Sequence, residues 1–194
     1  MERSMNGISS RRSVLLSGGA VLSGAAVALL AGRPGLAATH SKGQDATKDA
    51  ATLNTALVLE YEAINAYTLA AKSNLLEKPV LKVATKFQDD HKVHRDRLIE
   101  TLQTLGAKPV GEKSLEEYAK ALDVQRLKSQ ADVLSLAAGL ERGAVNAYVG
   151  IIPSFSEGRL SKLAGQLAAD ETTHFTILNQ SLGRPLLPAM SFGA

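Results

Sequence analysis

An internal repeat constrains this chain more than any other feature. Leu59-Glu60-Tyr61-Glu62-Ala63-Ile64-Asn65-Ala66-Tyr67 aligns without a gap on Leu140-Glu141-Arg142-Gly143-Ala144-Val145-Asn146-Ala147-Tyr148, with Glu, Asn and Tyr at the same offsets. A weaker echo follows each copy, in which His91, His94 and Leu98 line up with Glu171, His174 and Leu178. The chain therefore reads as two copies of a helical hairpin that bury their apolar faces against each other. Its 194 residues are material for one domain, and 45% hydrophobic residues are enough for a core. Aromatics at 4% with no Trp argue against a β-sandwich or barrel, whereas the Ala-, Leu-, Glu- and Lys-rich stretches favour helix. With no cysteine there is no disulfide framework, thiolate metal site, Cys nucleophile or Fe–S cluster, so any metal must be held by His and carboxylate.

Breaks in the pattern divide the chain. The first helix is expected over about 49–76 and stops before Pro79, and the second over about 79–105 ends at Gly106 with Pro109 beyond. Ser114 and Glu117 form a capping box for a short helix through about Leu122. A third long helix is expected over about 124–152, closed by Pro153, and a fourth from Ser156 or Glu157 to Leu182, ending at Gly183 before Pro185. The all-α bundle thus occupies 49–183, with a surface tail over 184–194 and a flexible polar stretch over 39–48.

Residues 1–38 read as an address label instead of fold. Arg11-Arg12 precedes a weakly apolar stretch from Val14 to Ala31, broken by glycines and serines, with the small residues Ala37 and Ala38 at a plausible cleavage point. The stretch is a poor permanent membrane span, so no stable insertion is expected after cleavage. The arrangement resembles a twin-arginine export signal, although Val14 stands where Phe is preferred and no Lys follows Leu15. That resemblance implies the twin-arginine machinery as a partner and a location in the periplasm, or otherwise outside the cytoplasmic membrane, of a bacterium. The leader holds four Arg and one Glu, so of 22 basic and 19 acidic residues the remainder keeps 18 of each. Its neutrality, and the lack of a basic stripe, argue against nucleic acid as a partner.

Helical periodicity shows which polar residues point inward, because positions three, four and seven apart share a face. Glu60 shares its stripe with Leu53, Leu57, Ile64 and Tyr67, and Glu141 shares its own with Leu134, Ala138, Val145 and Tyr148. His91 and His94 lie with Phe87, Leu98 and Leu102, and Glu171 and His174 with Leu167, Phe175 and Leu178. Glu62 is rotated about 200° from Glu60 and is expected near the surface. Asp90 shares its stripe with Lys86 and Arg97. Three carboxylates and three imidazoles on core stripes are best reconciled by sharing a cation, since an unpartnered buried charge costs several kcal/mol or takes a proton. Oxygen and nitrogen donors suit iron, manganese, zinc or copper, as one or two ions.

These motifs resemble the ferritin-like superfamily of four-helix carboxylate proteins, in particular its exported bacterial members, over about 50–182. The resemblance implies two helical hairpins joined by a long crossover, here containing the short helix, with a lone Glu on the first and third helices and Glu-x-x-His on the second and fourth. It places Glu60 and Glu141 at the lone Glu positions, Glu171 and His174 in the fourth-helix motif, and His94 at the second-helix His. His91 stands where the family has a Glu that commonly bridges two metals, which makes it a variant ligand and opens a single-metal alternative. Tyr67 and Tyr148, two turns from their Glu on the same stripe, can line the approach or hydrogen-bond groups behind the ligands. The expected function is metal binding, with redox chemistry on metal, oxygen or peroxide as an extension. The alternatives are an envelope or stress-related interaction bundle without catalytic metal and, less favoured, a storage cage. A homo-oligomer is compatible with each.

Overall fold

The computed structural model describes residues 42–193, and the expected leader with Arg11 and Arg12 lies outside the described residues. Four long helices form the body: α1 (Lys42–Lys72), α2 (Lys78–Thr104), α4 (Gln130–Ile151) and α5 (Gly158–Ser181). The crossover between α2 and α4 carries the short α3 (Leu115–Ala121) and a 3-10 turn at Val124–Arg126. No strand occurs among the described residues. Packing is most extensive within the α1–α2 and α4–α5 hairpins, and α1 also meets α4.

The helix ends follow local chemistry. Both hairpins finish on a Leu-Gly pair, Gly106 at φ +71° and Gly183 at φ +66°. Beyond each glycine a backbone N–H returns to a carbonyl of the last turn, Ala107 N to Leu102 O and Arg184 N to Asn179 O, both 2.9–3.1 Å. These are Schellman closures, and the left-handed residue each needs is the one glycine adopts without a Cβ penalty. The expected capping box at Ser114 and Glu117 is formed. Two boundaries differ from the sequence reading. α1 begins at Lys42, so polar residues expected as a flexible lead-in are helical. α4 begins at Gln130 and not at Val124, because Ser129 accepts from Asp132 N while Asp132 accepts from Lys128 N, fixing the first turn there.

Asn65 and Asn146 of the repeat play matching structural parts. Asn65 donates to Glu112 in the crossover (2.6 Å), and Asn146 accepts from Gly193 N in the tail (2.9 Å), so each holds down the segment that leaves a hairpin. The tail lies on the bundle surface as expected, with Phe192 edge-on to Phe175. Gly193 sits at φ +76°, where an added Cβ would meet Val149 Cγ1 at 2.5 Å. Just beyond the end of α4, Ser156 donates through N and Oγ to the buried Asp49 (3.3 and 2.5 Å), fastening the α4–α5 connection to α1.

The apolar interior falls into two clusters. One contains Leu53, Leu57, Leu98, Leu102, Tyr148 and Leu167, and the other Tyr67, Phe87, Leu134, Ala138, Phe175 and Leu178. On every helix the expected Glu and His positions fall between them. No described helix is long and apolar enough to cross a membrane. Leu102 is fully buried, so Leu102→Ala should lower unfolding free energy by about 3 kcal/mol. Chemical denaturation of the variant checks this, with the midpoint falling at unchanged slope.

Candidate metal centre

The six candidate ligands Glu60, His91, His94, Glu141, Glu171 and His174 converge in this layer, each 5% exposed or less. Antiparallel packing brings them together. Tyr148 on α4 donates to Glu60 on α1, and Tyr67 on α1 donates to Glu141 on α4. Rising numbers on one helix thus meet falling numbers on the other. Each tyrosine holds the glutamate of the other repeat, because its own lies seven residues away, about 10 Å along the axis.

His91 is central. Its Nδ1 lies 2.8 Å from Glu60 and 3.5 Å from Glu171, and its Nε2 lies 3.3 Å from Glu141. His94 Nδ1 is 3.1 Å from Glu171, and His174 Nδ1 is 3.3 Å from the other oxygen of the same carboxylate. Two four-residue sets result, Glu60, His91, His94 and Glu171 on one side, and His91, Glu141, Glu171 and His174 on the other. In each, one donor atom per residue falls within 4.8 Å of all the rest, compact enough to close on one ion. The sets share His91 and Glu171.

Glu141 Oε2, Glu171 Oε2 and His174 Nδ1 are buried and make no hydrogen bond of good geometry, although the last two face each other at 3.3 Å. Burying such atoms unsatisfied is costly. All three belong to one set and are donors that a first-row ion takes. The residues therefore fit a metal ion on the protein's own geometry.

Sequence reasoning missed the groups behind two of the histidines. His94 Nε2 faces Asp170 at 3.2 Å, and His174 Nε2 faces Asp90 at 3.3 Å. A carboxylate on the outer nitrogen fixes ring orientation and leaves Nδ1 for the centre. The repeat carried the signal, since Asp90 precedes His91 as Asp170 precedes Glu171. Asp90 also pairs with Lys86, and it stands behind the candidate ligand His174. Glu62 corrects the sequence reading in another way. It is buried, at 7% exposure: α3 packs on α1 with Tyr118 close enough to feel the Glu62 charge, and Gly143 and Ala144 of α4 line the same small recess as Glu62.

Residues 48–184 match the family model of the ferritin-like domain, which is well over half of the chain. The chain belongs to the ferritin-like domain family. A solved structure with a similar fold is that of the conserved hypothetical protein rv2844 from Mycobacterium tuberculosis. It shares 21% identity, covers 75% of this chain and 99% of its own, and superposes with a TM-score of 0.60. No curated protein matches significantly.

In this ferritin-like protein the metal-free centre balances its charge with protons. Burial opposes ionisation of Glu60, but hydrogen bonds from His91 and His94 outweigh it and bring its pKa down to about 2. Burial likewise disfavours protonated His94 and His174, yet the surrounding carboxylates win and raise them to about 10 and about 9. His91 is raised well above its ordinary range against the same burial penalty, chiefly by Glu171 and Glu141. Burial pushes Glu171 up to about 7, with the charge of His91 opposing it.

Each shift has a sign in stability. Stabilisation from Glu60 is complete above pH 4.5 and lost as pH falls through about 2. That from Glu171 is complete below 4.5 and lost as pH rises through about 7. The histidines contribute fully below 6.5 and lose their contribution as pH rises through about 9 to 10. Metal-free protein should therefore melt highest near pH 4.5, with Tm declining above it, first as Glu171 ionises and then as the histidines lose their protons. A bound divalent cation replaces those protons and should flatten that limb. Calorimetric scans across pH, with and without chelator, check both statements.

Proposed function

We propose that the protein is an exported ferritin-like metal-binding protein whose buried centre holds one or two first-row ions, iron foremost, and supports redox chemistry on metal, oxygen or peroxide. The observation that carries this reading is the trio of buried ligand atoms that make no hydrogen bond of good geometry, Glu141 Oε2, Glu171 Oε2 and His174 Nδ1. When bound, such an ion supplies Lewis acidity and, for iron, manganese or copper, one-electron chemistry.

The chain's own residues set the conditions for that chemistry. Glu60 and Glu141 bring negative charge, and Tyr148 and Tyr67 hold each carboxylate by one oxygen. Asp170 and Asp90 keep the inner nitrogens of His94 and His174 turned toward the centre. The apolar clusters on either side exclude bulk water. As a ligand His91 would bring a neutral ring where the family has an anion, which lowers the negative charge available to two divalent ions.

A second reading, an envelope or stress-related interaction bundle without catalytic metal, is favoured by the mutual pairing of His and Glu at 2.8–3.6 Å. Elemental analysis of protein purified without chelator separates the two. The metal reading expects one to two first-row ions per chain. Glu171→Ala, which removes a ligand common to both sets, should lose more metal than Glu60→Ala or Glu141→Ala. Absence of metal after purification and after reconstitution establishes the second reading. The export proposal rests on Arg11-Arg12, and replacing both with Lys should block appearance of the protein outside the cytoplasm. Unchanged export overturns that part alone.

A further inference from the structure

A cavity of about 190 Å³ lies beside the metal centre, between the C-terminal part of α1, the start of α2, the first half of α4 and the end of α5. Its wall is hydrocarbon, from side chains such as Leu76, Val80, Leu134, Ala137 and Leu178. Among the described residues, the polar side chains in the wall are Tyr67, Glu141 and Ser181. Tyr67 and Glu141 are the hydrogen-bonded pair of the centre, so one end of the cavity is a candidate metal ligand. Val83 and Ile177, 39% and 38% exposed, also line it and place its mouth at the surface.

Protein interiors are close-packed, and voids much larger than a water molecule are few. An apolar void of roughly 150 Å³ stays dry and accepts a benzene-sized molecule. Polar solutes are disfavoured because the hydrocarbon wall cannot replace their hydration, and an anion would in addition meet Glu141.

We propose that this cavity is a binding site for an uncharged, mainly hydrocarbon small molecule, about the size of a single aromatic ring or a short alkyl chain, seated with one end against Tyr67 and Glu141. The site gives the centre a molecule to act on, and in that role it rests on the metal reading. Its occupancy does not, and can be measured without metal.

Toluene is the probe. Titrated into metal-free full-length protein and followed by amide chemical shifts, it should bind saturably and move resonances of Leu134 and Leu178. Ala137→Leu and, independently, Ala66→Leu fill the cavity and should weaken binding at least tenfold, with unliganded spectra keeping native dispersion. Absence of saturable binding to the native protein, or undiminished binding by both folded variants, overturns the proposal. In Co(II)-loaded protein, toluene should alter the visible d–d bands of the native chain and leave those of Ala137→Leu unchanged. Saturable binding with no change in the native bands would overturn the seating against Glu141. A chain that takes no cobalt but binds toluene refutes the metal reading and leaves the cavity site standing.

Discussion

Everything in this bundle is arranged around the burial of three carboxylates and three imidazoles in one layer. Such groups cannot enter an apolar interior singly, because loss of hydration costs more than helix packing returns. They enter together, each side chain facing groups that offset its charge. Glu60 faces His91 and His94, Glu141 faces His91 and His174, and Glu171 faces all three histidines. With the layer in place, the hydrocarbon above and below it is divided into two clusters, each closed by residues from all four long helices.

The internal repeat gives this layer an approximate twofold character. Tyr67 and Tyr148 exchange glutamates, His94 and His174 exchange aspartates, and Asn65 and Asn146 each secure the segment leaving a hairpin. His91 breaks the symmetry. Its counterpart Glu171 presents two oxygens to two histidines from one carboxylate, while His91 presents its nitrogens in opposite directions, one toward Glu60 and the other toward Glu141. The two sets therefore share one carboxylate and one imidazole where the family pattern has two carboxylates.

The helices and the inward orientation of the six candidate residues were legible because both depend on short-range periodicity. A Glu among Leu and Ala at helical spacing must face inward, and the repeat selected the same position twice. What escaped depends on contacts across helices. Asp90 shares a stripe with Lys86 and Arg97, which disguised its reach to His174 on another helix. Glu62 sits on a second face of α1, and its burial by the crossover cannot be read from α1 alone. The start of α4 turned on one reciprocal cap at Ser129 and Asp132, a local signal outweighed by the apolar pattern running back to Val124. The cavity beside Glu141 had no sequence signature at all, since its wall is built from ordinary core residues of four helices and the crossover.

The aspartates behind the histidines have a consequence for traffic through the centre. The inner nitrogens of His94 and His174 are sealed in the core, whereas Asp170 is 62% exposed and Asp90 is 29% exposed. Each ring therefore spans the distance from the sealed interior to solvent, with an ionisable oxygen at its outer edge. Acid equivalents displaced from the interior can leave across a single imidazole, on either side of the bundle, without any helix separating from its neighbour. The outward-facing sides of these two rings thus give hydrogen ions a route to the layer that is separate from the hydrocarbon-walled cavity at Glu141.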